Sequence, residues 1–274
     1  MKIPTLTEVQ IVTSDGLNYY QGTNELVTGT FQFHENGQLT NRGNYIDGKH
    51  HGLWEFFHQN GQLQIRGNWV NGKLDGLYQE FQENGQLEYR VNYIDGKEDG
   101  LREIFGENGQ IEYRTNVIDG KETGLYENFY KNGQLWTRGN NIDGIQDGLL
   151  ERFWENGQLE NRGHQRDEKY YGLLEEFYEN GQLRYSVNYI DGKQEGLRES
   201  FHENGQLNSR ANYIDGNPDG LLEAFHEDGQ LRLRANYTDG KLDGLYEAFD
   251  EAGNLTRVEI WGNGEEIAES KLLH

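Results

Sequence analysis

The sequence predicts an all-β protein of tandem β-hairpins, about ten units of 24 residues forming one elongated, twisted antiparallel meander sheet. Three glycine series carry that expectation. Glycine in Asn-Gly-Gln-Leu and its close variants recurs at Gly37, Gly61, Gly85, Gly109, Gly133, Gly157, Gly181, Gly205, Gly229 and Gly253, always 24 residues apart. A second series, mostly Asp-Gly, passes through Gly48, Gly72, Gly96, Gly120, Gly144, Gly192, Gly216, Gly240 and Gly264 and is broken once, at Glu168. A third, in Gly-Leu, runs without a gap from Gly52 to Gly244. Series locked to one period mark stacked supersecondary units.

Within the unit from Gly76 to Gly100, Leu77 to Gln82 alternates, Glu83-Asn84-Gly85 reads as a turn, and Gln86 to Tyr93 alternates again, the pattern of a hairpin. A two-residue Asn-Gly loop would put Phe81 opposite Glu88 and mix the faces. A three-residue loop with Gly85 left-handed puts Phe81 opposite Leu87 and Leu77 opposite Val91, and because a one-residue slip flips every side chain, the sorting register is preferred. One face then carries Leu77, Phe81, Leu87, Tyr89, Val91 and Tyr93, the other Tyr78, Glu80, Gln82, Glu88, Arg90 and Asn92. Links such as Ile94 to Asp99 join successive hairpins. At about 4.8 Å per strand the array would be about 100 Å long, with stability nearly additive along it. Residues 1–28 read as an N-terminal cap, 29–265 as the array and 266–274 as a tail.

The composition fits this reading. Only 34% of the 274 residues are apolar, which is thin for a large core, but 17 Tyr, 12 Phe and 5 Trp at regular intervals supply buryable side chains and oppose disorder. Thirty-seven glycines against two prolines indicate many tight turns. No cysteine is present, which removes disulfides, thiolate metal sites and cysteine nucleophiles. No signal-like or membrane-spanning apolar run occurs, so a soluble cytoplasmic protein is expected. A net charge of −22 opposes nucleic acid and anionic lipid as partners and favours a basic protein.

Comparing the units separates constant from variable columns. Leu53 to Leu245 and Phe57 to Phe249 never change and are expected in the core. Between them lie Glu55, Glu103, Glu127, Glu151, Glu175, Glu199, Glu223 and Glu247, with Gln79 as the polar exception; on the apolar face such acids would need tyrosine hydroxyls or backbone N–H groups as partners. The Arg column, interrupted at Ser186, is expected to form a solvated charge network, and the Asn column, replaced at His164, to bond backbone near the strand ends. Variation concentrates in the Trp54, Tyr78, Arg102, Tyr126 column and the His58, Gln82, Tyr130, Trp154, Tyr178 column, both assigned to the polar face. Large aromatics there are the kind of anchors interfaces use, so Trp54, Tyr78, Tyr126, Tyr130, Trp136, Trp154, Tyr170 and Tyr178 are the candidate partner-binding residues; cross-strand packing is the alternative role. His164 to Tyr171 departs from the usual link and is either a specialised contact or a drifted loop.

No catalytic, cofactor-binding or metal-binding residues emerge. Asp95 to Gly100 lacks the spacing and terminal Glu of a calcium loop, and the pairs His34 with His58 and His202 with His226 lack a third ligand. Nucleophile-elbow, phosphate-loop and dinucleotide motifs are missing, so an enzyme is not expected.

The units resemble the MORN-repeat variant: a strand ending in an aromatic, an Asn-Gly turn, a second strand, then Asp-Gly-Lys and a further Gly. The opening, Asp15-Gly16-Leu17-Asn18-Tyr19-Tyr20 with Thr28-Gly29 and Glu35-Asn36-Gly37-Gln38-Leu39, is similar to the first unit of the bacterial YwqK-like antitoxin group. The resemblance spans about residues 10 to 265 and implies neutralisation of a toxin by binding. The expected function is therefore a non-enzymatic protein-binding scaffold of antitoxin or immunity type. Alternatives are a scaffold self-associating end to end, or an acidic nucleic-acid mimic. Mimicry is weakened by a charge spacing of about 4.5 Å against about 1.7 Å for duplex DNA.

Overall fold

The computed structural model describes residues 10–270, so the parts of the expected cap and tail at 1–9 and 271–274 lie outside the described residues. Among the described residues there is no helix, and the strands are those of repeated hairpins. By internal contacts the chain divides into two units: one up to Gly133 together with Asn141–Gly144, the other Gln134–Asn140 with Ile145 onward. In each, strands pair antiparallel with their neighbours in sequence and, among the described residues, no later strand returns to an earlier one, so the meander is open and not a barrel.

The two turns of a repeat are built differently. At Glu83-Asn84-Gly85, Gln82 N donates to Gln86 O and Gly85 N to Gln82 O, both at 2.8 Å, while Asn84 Oδ1 accepts from Gln86 N at 2.8 Å. Gly85 has φ +84°, so the three-residue loop with a left-handed glycine is present and Phe81 stands opposite Leu87. At Asp95-Gly96 both residues have positive φ, +49° and +85°, and Ile94 faces Lys97. That is a type I′ turn, whose twist matches the flanking strands. The third glycine, Gly100 (φ +114°), follows Asp99, whose N–H returns to Asn92 O at 2.8 Å; here the ladder slips before Glu103 pairs with Arg90.

One irregularity overturns the expected faces. Next to the Phe81–Leu87 pair the ladder continues with Glu80 opposite Tyr89, leaving Glu88 as an extra, bulged residue. Leu77 is therefore opposite Asn92, not Val91, and Tyr78 takes Val91. A bulge adds one residue to one strand and so reverses the side-chain alternation beyond it. Tyr78, Glu80, Tyr89, Val91 and Tyr93 share one face, here the aromatic face. Leu77, Gln79, Phe81, Leu87, Arg90 and Asn92 share the other, the ladder face. The same slip recurs between Ile104 and Phe105, Glu176 and Phe177, and Ala224 and Phe225.

Burial follows the corrected register. Val91, Val117 and Val187 on the aromatic face are essentially inaccessible, whereas Leu77, expected in the core, is 52% exposed and the whole Leu53 to Leu245 column is exposed with it. At the N-terminal end the hairpin Ile11–Ser14 with Leu17–Tyr20 is tied on through Val27, whose N–H donates to Asn18 O and whose carbonyl accepts from Gly48 N. Ile11 and Tyr20 pack on a cluster of Val27, Phe31, Tyr45 and Trp54. The last strand, Glu265–Ser270, pairs with Leu255–Gly262, so the ladder continues past residue 265.

Candidate binding faces

The ladder face is an alternation of ions and rings. Arg42 Nε lies 2.5 Å from Glu55 Oε2, and Arg66 Nη2 is 2.9 Å from Glu55 Oε1. Glu55 takes two cations because Gln79, opposite Arg66 on the next strand, offers no charge. Arg90 pairs with Glu103, Arg114 with Glu127, Arg138 with Glu151, Arg162 with Glu175, Arg210 with Glu223 and Arg234 with Glu247. The guanidinium also covers a ring, at 5.5 Å for Arg42 over Phe57 and 5.3 Å for Arg114 over Phe129. Such stacking contributes about 0.5–1 kcal/mol each at exposed sites. The expected tyrosine or backbone partners of the Glu column are thus replaced by arginines, since the bulge brings Glu and Arg to one face. For Glu55, burial raises the pKa, but hydrogen bonds and charge from Arg42 and Arg66 outweigh it and hold the carboxyl below its usual value. Beside this ladder stand the exposed leucines, and nearer the Asp-Gly turns exposed Ile94, Ile118, Ile190 and Ile214.

The aromatic face is a tyrosine–carboxylate network. In the first unit Tyr78 Oη donates to Glu80 at 2.7 Å, and Glu98 receives Tyr89 Oη at 2.6 Å and Tyr93 Oη at 3.1 Å. Arg102 Nε donates to Glu98 at 2.9 Å and its Nη1 to Glu122 at 2.8 Å, where Tyr113 Oη also donates at 2.7 Å. Burial first, then the adjacent carboxylates, raise the phenol pKa values, that of Tyr93 to about 12. Glu98 is pushed up by burial but lowered on balance by Tyr89 and Arg102. A cleft of about 410 Å³ opens here between Leu74, Tyr78, Tyr89, Tyr93 and Ile104.

The eight candidate partner-binding residues occupy different places on the repeat. Trp54, Tyr78 and Tyr126 are on the aromatic face, not a polar surface, and Trp54 is 0% exposed, a core residue. Tyr130, Trp154 and Tyr178 close the strand at the Asn-Gly turn. There the column bridges repeats where it carries a ring with a polar atom: His58 Nε2 meets Phe81 O at 2.7 Å, Trp154 Nε1 donates to Phe177 O at 3.3 Å, Tyr178 Oη donates to Phe201 O at 2.9 Å and His202 Nε2 meets Phe225 O at 3.0 Å. Trp136 sits at the bulge position and is exposed; Tyr170 is half-buried in the link, its ring 5.8 Å from that of Tyr189. The structure does not gather the eight onto one surface.

The acidic links are used locally. Asp75 accepts from Asp95 N at 3.4 Å, Glu195 from Asp215 N at 3.1 Å, and Lys193 pairs with Asp215 at 3.0 Å, each joining one turn to the next. The expected backbone role of the Asn column is seen where Asn68 Nδ2 donates to Asp75 O at 2.7 Å and Asn140 Nδ2 to Asp147 O at 3.1 Å. Among the described residues no three His, Asp or Glu side chains are grouped to hold a metal ion.

Stacked hairpins with a constant ladder on one face and a varied network on the other define a repeat scaffold. The family model of the MORN repeat variant matches residues 28–47, 51–71, 74–95, 122–140, 146–167, 170–191, 194–215 and 218–239, and the chain belongs to that family. No curated protein matches significantly. Among solved structures the chain is similar to the crystal structure of TcdB2-TccC3, at 13% identity and TM-score 0.22 over 91% of this chain, and to that of TcdB2-TccC3-Cdc42, at 13% identity and TM-score 0.21 over 91%. The chain spans 17% and 16% of those much longer chains.

Proposed function

We propose that this chain is a non-enzymatic, cytoplasmic scaffold that binds another protein, and that it acts in the manner of an antitoxin or immunity protein on a partner with a basic surface. The observation that carries this reading is the leucine column: an apolar side chain repeated in every unit yet left in solvent beside a charged ladder. Contiguous exposed apolar surface rimmed by polar groups marks interaction sites. The net charge of −22 would steer a basic partner to it. The Glu column does not favour nucleic-acid mimicry, because arginines already neutralise it. Glu265 and Glu266 on the strand Glu265–Ser270 likewise oppose edge pairing between copies.

The test is a pull-down from host extract at low and moderate salt with the wild-type chain and with Leu173→Asp and Leu221→Asp, followed by co-expression of the recovered protein. The reading expects a basic protein whose capture is lost in the variants and whose toxicity to growth is relieved by the wild-type chain. Recovery of no specific partner at either salt, or capture unaffected by the leucine changes, would overturn it.

A further inference from the structure

Arg102 and Arg198 occupy the same column of the aromatic face, four repeats apart, and live in opposite circumstances. Arg102 is clamped by Glu98 and Glu122. Four repeats on, the positions of those two acids are held by Gln194 and Pro218. Gln194 turns to Tyr189 Oη at 3.2 Å, and Pro218 has no side-chain acceptor. The Arg198 guanidinium lies between two rings, its carbon 5.2 Å from the Tyr185 centroid and 5.9 Å from that of Tyr213. Its Nε is sealed from solvent with no hydrogen-bond partner, and among the described residues Arg198 makes no ion pair. Glu176 is engaged by Tyr185 Oη at 2.6 Å and by Arg184 at 3.6 Å. Ser200 and Ser209, next on the same face, bond to each other at 2.6 Å.

A half-buried guanidinium costs free energy unless its donors are used, and the planar fork matches a carboxylate. We propose that Arg198, flanked by Tyr185 and Tyr213, is a binding site for a carboxylate supplied from outside the chain, received by the terminal Nη groups while the sealed Nε stays inward. The protein supplies the comparison itself: Arg102 shows what occupies this niche when the acid is built in, and Arg198 is the same niche with both acids removed. The rings on either side hold the guanidinium in place and lower the local dielectric, strengthening its pairing with an incoming anion. The assignment rests on this geometry alone and not on the protein-binding reading, so either can fail without the other.

The arginine Nε–H signals of the full chain, recorded by 15N NMR, test it. The Arg198 signal is identified by its loss in Arg198→Gln, and sodium acetate is titrated against sodium chloride and inorganic phosphate at matched ionic strength. The expected result is a saturable acetate shift at Arg198 that chloride does not produce, with the Arg102 signal unmoved. Gln194→Glu should fill the niche from within, abolish the acetate response and raise the melting temperature; it also carries the test if Arg198→Gln fails to fold. The proposal is overturned by an unsaturable acetate response, by equal shifts at Arg102, by a response to phosphate and not acetate, or by a Gln194→Glu variant that answers acetate as wild type does.

Discussion

Trp54 lies against Gly43 so closely that a Cβ at position 43 would stand 2.1 Å from the indole Cδ2. Gly43 is buried, and its φ is not among the positive values, so its lack of a side chain serves space and not backbone conformation. On the other flank Trp54 is paired with Gly67. Seven repeats on, Leu222 sits between Ala211 and Ala235, a smaller side chain with larger neighbours. Gly43→Ala should therefore cost about 1–3 kcal/mol by overpacking. The cost should largely vanish in a Trp54→Leu background, which reproduces the Ala211–Leu222 combination. A double-mutant cycle by urea unfolding measures this coupling; additive effects would deny the contact.

The carboxylates that gain arginine partners give the fold an acid limit. Glu55 and Glu98 both have folded pKa values below the ordinary 4.5, so their contribution is present above that value and is lost as pH falls through the folded value. Glu98→Gln should be less stable than wild type at pH 7, and the difference should shrink as the pH is lowered from about 4.5 towards 3. Denaturant midpoints across that range decide it. A difference as large at pH 3 as at pH 7 would show that the carboxylate charge is not its source.

The period, the turns and the family were legible because they depend on local requirements. A type I′ turn needs positive φ at both central positions, and Asp95-Gly96 announces that need in its residue types. The faces were not legible because they hang on one bulged residue. The bulge column reads Gln64, Glu88, Glu112, Trp136, Glu160, Arg184, Asn208 and Arg232, with no glycine or other residue type to mark a kink. Two signals could have revealed it. The Glu and Arg columns run at equal frequency and satisfy each other only if they share a face. The small column Gly43, Gly67, Val91, Thr115, Gly139, Gly163, Val187, Ala211 and Ala235 shrinks where the column beside it carries Trp54 or Leu150. Invariance of the leucines in the sequence alone points to burial, although an exposed leucine can equally be repeated to make a surface.

Glu168 breaks the Asp-Gly series but not the turn. Asp167 and Glu168 have φ +48° and +63°, and Arg166 still faces Lys169. A non-glycine side chain in the left-handed region costs about 1–2 kcal/mol, offset in part by the greater freedom glycine has when unfolded. Glu168→Gly should raise stability by about 0.5–1 kcal/mol. Thermal melts of the two proteins provide the check, and an unchanged or lower midpoint would mean that Glu168 makes a compensating contact.

Tyr78, Tyr89, Tyr93, Tyr113 and Tyr185 set an alkaline limit of opposite sign. Burial and a carboxylate acceptor raise each phenol above the ordinary 10.0, Tyr93 to about 12, so the neutral phenol is favoured by folding. The resulting stability is complete below pH 10 and is lost as pH climbs through the folded values. Ultraviolet titration of the phenolate band should show a slow class of tyrosines that ionises only as circular dichroism reports loss of the sheet. Replacing Tyr89 and Tyr93 by Phe should remove two members of that class and lower stability at pH 7 by about 0.5–1.5 kcal/mol for each lost hydrogen bond. If all tyrosines of the folded protein titrated together near pH 10, the network with Glu98 would not exist in solution.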